Sequence, residues 1–263
     1  MIDSYVNKLI FVDEEFMREL KQESVTVFQE FNNPSPDTQV IKLPLEGEQL
    51  ALLVQSMDIS EIKPGNILVK PGYTNRFWRI EEFSENHVLT KYSLWIRLCV
   101  ALGAKHVKVQ DIKDVNTEAG YDSAIAAEVS ASSPIAKGSL DVSAKKSSRE
   151  NEIRQQIMDI SADAEGSEPN LEAAERILQR YNLFHDDLFM SIYEMRELKT
   201  NPLKRHEFAL DFSSDFKKVF DSSIKSKLDV MAKVYKGRIA LDSQENAFNN
   251  AKTAMKLSIL VEF

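Results

Sequence analysis

Residues 91–110, KYSLWIRLCVALGAKHVKVQ, change period halfway along. Tyr92, Trp95, Ile96, Cys99, Val100 and Leu102 recur at helical spacing. Gly103 then falls where a helix end favours a left-handed residue, and Val107 and Val109 alternate as a strand does. Helix, glycine, strand is the reading, and it predicts packing rather than chemistry. A chain that switches period in this way, without a regular strand–helix repeat, points to α+β.

Downstream, residues 123–146, SAIAAEVSASSPIAKGSLDVSAKK, form two alternating runs around a turn with Pro134 and Gly138. Ile125, Ala127, Val129 and Ala131 share one face of the first run; Leu140, Val142 and Ala144 share one face of the second. The other faces are small or polar, with Glu128 and Asp141 among them. Such a ribbon suits a sheet edge, a self-assembly surface or a membrane-inserting stem. Each arm is near the ~9–11 residues that a tilted spanning strand needs. Pro134 and the weak apolarity of alanine count against insertion.

Upstream, Asp13 caps a predicted helix over EEFMRELK, SVTVFQEF at 24–31 alternates like a strand, and NNPSP stops it. QVIKLPL and QLALLVQSMDI follow as apolar elements, then a strand over NILVK ending at Pro71 and Gly72. Beyond the ribbon, Ile153, Ile157 and Ile160 fit a helix and Met158, Ile160, Ala162 and Ala164 fit a strand equally well. SADAEGSEPN at 161–170 has linker composition, and Asn170 or Ser167 caps a helix carrying Leu171, Ala174, Ile177, Leu178 and Tyr181. A helix over DLFMSIYEMREL, a strand over HEFALDF, helix over 214–235, a strand over GRIALD and a final strand over KTAMKLSILVEF complete the chain. In the last, Met255, Leu257, Ile259, Val261 and Phe263 share a face, so a core strand is expected there. The overall expectation is a mixed, mainly antiparallel sheet with amphipathic helices. It divides into a region over 1–160 that contains the ribbon and one over 171–263, or forms one continuous domain.

The 263 residues are 43% hydrophobic and 28% charged, which suits a folded chain. A net charge of −8 repels phosphate backbones at long range, so general nucleic-acid binding is not expected. The basic clusters Lys145/Lys146/Arg149, Lys204/Arg205 and Lys217/Lys218/Lys225/Lys227 all have acidic neighbours in sequence and read as solvated faces. One cysteine forbids an internal disulfide, and with no leader-like or spanning run a cytoplasmic location is expected.

His185, Asp186 and Asp187 form the most chemical-looking cluster, since imidazole beside carboxylates can act as a base or hold a metal. The competing reading is a helix start. Neither HExxH nor CxxC spacing nor a glycine-rich phosphate loop occurs, so no cofactor or metal is expected. Cys99 reads as a small core residue, and GYTNRFW at 72–78 as a turn with Trp78 tucked inward. The expected function is non-enzymatic: association with a protein partner or with itself through the ribbon face of Ile125, Ala127, Val129, Leu140 and Val142. The alternatives are a pore-forming effector that inserts the ribbon after oligomerising, and a hydrolase using His185 with Asp186 or Asp187.

Overall fold

The computed structural model describes residues 5–116, 151–198, 202–239, 241, 243–244, 247 and 253–263. The chain is α+β, with two four-stranded sheets among the described residues. It groups into two compact units, Met1–Asn86 with Ser214–Lys252, and His87–Ser213 with Thr253–Phe263.

The first unit is built on a sheet in the order β2-β1-β3-β4, from β1 (Lys8–Asp13), β2 (Thr38–Leu43), β3 (Ile67–Val69) and β4 (Trp78–Arg79). β1 and β2 run parallel, and the other pairs are antiparallel. Leu9, Ile10, Phe11 and Val12 are all fully buried, the continuous apolar run of a strand covered on both faces. Asp13 starts helix α1 (Glu14–Glu23) as expected, its side chain accepting the Phe16 N–H at 2.6 Å, and Phe16, Met17 and Leu20 turn inward.

Residues 24–31 are not a strand. Ser24 ends α1 and caps α2 (Val25–Asn32), accepting from Val27 N–H. The apolar positions Val27, Phe28 and Phe31 also satisfy i, i+3, i+4 spacing, and burial of Phe31 against Phe16, with ring centres 5.2 Å apart, decides for the helix. Helix α3 (Gly47–Leu53) sends Leu53 into a core with Phe11, Ile41, Met57, Leu68 and Phe77.

The helix Ser222–Tyr235 begins at Asp221, whose carboxylate accepts from Ile224 N–H at 3.0 Å, and it stacks Tyr235 on Phe16 with ring centres 5.0 Å apart. Lys236 and Gly237 take positive φ and end it. The strand expected over GRIALD is therefore absent among the described residues 237–239, because the left-handed pair turns the backbone out of extension.

The second unit carries the later part of α4 (Ile80–Ala101) and a fully antiparallel sheet in the order β6-β5-β8-β7. The strands are β5 (His106–Asn116), β6 (Ser161–Asp163), β7 (Arg205–Asp211) and β8 (Thr253–Glu262). Gly103 has φ +87°, and a Cβ there would stand 2.1 Å from Ser167 O, so the turn demands glycine twice over. Trp95, Leu98, Cys99 and Leu102 are buried, while Val100 faces outward, so Leu94 and Leu98 take up the inner face in its place.

Residues 151–159 are helical, burying Ile153 and Ile157, and the strand pattern survives only as β6. The stretch 161–170 is pinned rather than free: β6 pairs with β5, Ala164 N–H donates to Lys105 O, and Asn170 N–H donates to Ala101 O. Asn170 also caps the helix Leu171–Arg180 by accepting from Ala173 N–H at 3.0 Å. The expected C-terminal core strand is present as β8, a central strand with Leu257, Ile259 and Val261 fully buried.

Candidate functional site

β5 is the longest strand among the described residues, and its two edges differ. One edge pairs with β8 from His106 opposite Glu262 to Asn116 opposite Thr253. The other meets β6 only over His106, Val107 and Lys108, and beyond Lys108 no described strand pairs with it. Its N–H and C=O groups there are the chemistry on which strand addition works. An irregularity in the ladder shapes this edge: Val109 pairs with Ile259 and Asp111 with Ser258, leaving Gln110 as the extra residue of a bulge. Strict alternation from Val109 would have sent Asp111 and Lys113 inward. With the bulge both are exposed, and half-buried Ile112 lies opposite buried Leu257. At the far end Arg154, from the helical 151–159, forms an ion pair with Asp114.

The ribbon residues Ile125, Ala127, Val129, Leu140 and Val142 lie outside the described residues. β5 runs to Asn116, so it leads the chain toward them.

The His185 cluster is divided between tasks. The Asp186 carboxylate accepts from Leu188 N–H at 3.2 Å and Phe189 N–H at 3.4 Å at the start of the helix Asp187–Glu197, and it also binds the buried Lys91 ammonium at 2.8 Å. His185 and Asp187 are exposed. Cys99 is fully buried, and that burial pushes its thiol well above the ordinary range, away from thiolate chemistry. Trp78 is buried as expected. Among the described residues no group of three His, Cys, Asp or Glu is placed to hold a metal ion. No described helix is long and apolar enough to cross a membrane.

The densest charge constellation was not visible in the sequence. Lys8 is fully buried in β1, and its ammonium donates to Asp37 at 2.8 Å and to Asp221. Lys227, grouped by sequence with a solvated face, is 9% exposed. Burial lowers its basicity while Glu30, Asp221 and Asp37 counter the shift. Burial would likewise raise the Asp37 carboxyl, but hydrogen bonds from Lys8, Ser35 and Thr38 hold it below its ordinary range. The partners lie 29 and 213 residues from Lys8 in sequence, so no local motif could announce them. A second group joins Arg79 to Glu61 at 3.2 Å, to Glu81 at 3.7 Å and to Glu82. Both constellations are salt-bridged networks with no nucleophile–base pair in them. Comparison with protein-family models, with curated proteins and with solved structures gave no match to this chain.

Proposed function

We propose that this chain is a non-enzymatic association protein that joins a second copy of itself through β-strand pairing at β5 and the alternating segment that follows it. The carrying observation is the edge of β5 beyond Lys108, which has no described strand partner and leads toward the alternation at 123–146. An unpaired edge favours another strand because each N–H and C=O it satisfies is already held in the extended geometry a partner needs. The apolar ribbon face of Ile125, Val129, Leu140 and Val142 adds what backbone pairing alone lacks, a register fixed by burial.

Light scattering on size-exclusion fractions of the parent, Val129→Asp and Ser130→Asp tests this. The parent is expected to be a defined oligomer, Val129→Asp a folded smaller species, and Ser130→Asp like the parent, since adjacent strand residues face opposite sides. A monomeric parent overturns the reading, as does an oligomer indifferent to both substitutions. Assembly that appears only with liposomes would replace self-association with membrane insertion.

A further inference from the structure

Among its described residues the first unit buries three lysines, and what faces each ammonium differs. Lys8 has two carboxylates, and Lys227 sits in the field of three. Lys70, immediately after β3, is 8% exposed, and among the described residues no carboxylate faces it. Its ammonium instead lies 5.1 Å from the centre of the buried Phe77 ring. Desolvation, unopposed by any charge among the described residues, lowers its basicity.

Opposite it stands an unsatisfied acceptor. β1 and β3 pair with Lys8 across from Val69, so one step further brings Asn7 across from Lys70, and Lys70 N–H donates to Asn7 O at 2.9 Å. Opposed residues of an antiparallel pair send their side chains to the same face. Asn7 Oδ1 is buried and accepts no hydrogen bond. A buried acceptor without a donor is costly, and a bound group carrying a hydroxyl would remove that cost.

We infer that Lys70 is a nucleophilic amine that captures a small, neutral aldehyde as a Schiff base, with Asn7 Oδ1 accepting the hydroxyl of the carbinolamine. The neutral Nζ adds its lone pair to the carbonyl carbon, and the amine proton passes to the former carbonyl oxygen. Loss of that hydroxyl with a second amine proton expels water and leaves C=N. The imine formed can be protonated, and the Phe77 ring face suits that cation as it suits the ammonium. No oxidant or reductant is consumed. A neutral aldehyde is specified because no described cation stands beside Lys70 to hold an anionic one.

The test is propionaldehyde with cyanoborohydride on the full chain near neutral pH, followed by peptide mapping at short times. Lys70 is expected to be alkylated roughly tenfold or more faster than exposed Lys63 and Lys233, with Lys227 slower than either. Lys70 reacting at the pace of the exposed lysines, or more slowly, or not at all, overturns the inference. In Asn7→Leu, which removes the unsatisfied acceptor, Lys70 alkylation is expected to fall several-fold. An unchanged rate removes Asn7 from the proposal.

Discussion

The two units differ in where they bury their cations. The first places Lys8, Lys70 and Lys227 inside and answers two of them with carboxylates. The second keeps its sheet interior apolar and carries its buried cations, Lys91 and Arg196, on helices. There Arg196 donates to Leu102 O at 3.1 Å and Leu203 O at 2.6 Å beneath the Phe263 ring, and Lys91 binds the Asp186 cap. The difference teaches where each unit is brittle. Sheet-centred packing fails when volume is lost, whereas a charge network fails when one member is removed and the others stay behind.

The sharpest way to break this comparison is in the second unit. Trp95 is fully buried with its ring 5.3 Å from Phe189 and 5.1 Å from Phe208. Trp95→Ala is expected to cost about 4 kcal/mol in a denaturant titration. A loss of about 1 kcal/mol would mean that the core collapses easily around the gap.

In the first unit the order of effects should depend on which member goes. Asp221→Ala removes a Lys8 partner and the cap of the helix Ser222–Tyr235 together, and about 3 kcal/mol is expected by urea unfolding. Lys8→Met leaves two carboxylates that are each more than one-third exposed and can turn to water, so about 1 kcal/mol or less is expected. Equal losses in the two variants would show that the network acts through geometry and not through an abandoned charge.

Gly103→Ala should cost about 2 kcal/mol, combining a left-handed φ with the Ser167 clash. Its effect is expected in the second unit's melting, and a neutral result would require 161–170 to move aside freely.

The smallest effect is on pH. The folded-state value of Asp37 is depressed, so its contribution is complete above the ordinary carboxylate range and is lost as pH falls through the folded value. Glu81 runs the other way: burial raises it, so its ionisation removes stability as pH climbs through and above that range. Asp37→Asn is expected to flatten the acid limb of a stability curve and Glu81→Gln to lift the neutral plateau. Identical curves would set both groups aside.

Local chemistry was legible wherever one short segment held the whole argument. Asp13 and Asn170 cap, Gly103 turns and the inward side chains of β8 alternate, because each depends on neighbours a few residues away. Residues 24–31 read as a strand in sequence because Val27 and Phe31 fit both two-residue alternation and i, i+4 spacing, and only Phe16, from another helix, distinguishes them. The Gln110 bulge left no signal, since an extra residue is defined by the partner strand. The Lys8 network and the Asn7–Lys70 juxtaposition are products of topology and could not be read from composition. Of the candidate site, the alternation was visible, but the edge of β5 that no described strand pairs with was not.

The order of strands in the second sheet has a consequence for synthesis. β8 lies between β5 and β7, yet it is made after both. A nascent chain that has passed Asp211 holds two strands that do not neighbour each other and must wait for the strand that joins them. The first unit is in a like position, because the helix that brings Asp221 to Lys8 emerges only after most of the second unit. Neither unit is a continuous stretch, so one cut cannot release either whole, and ribosome-stalled chains halted before Thr253 should lack the protease resistance of chains extended through Glu262.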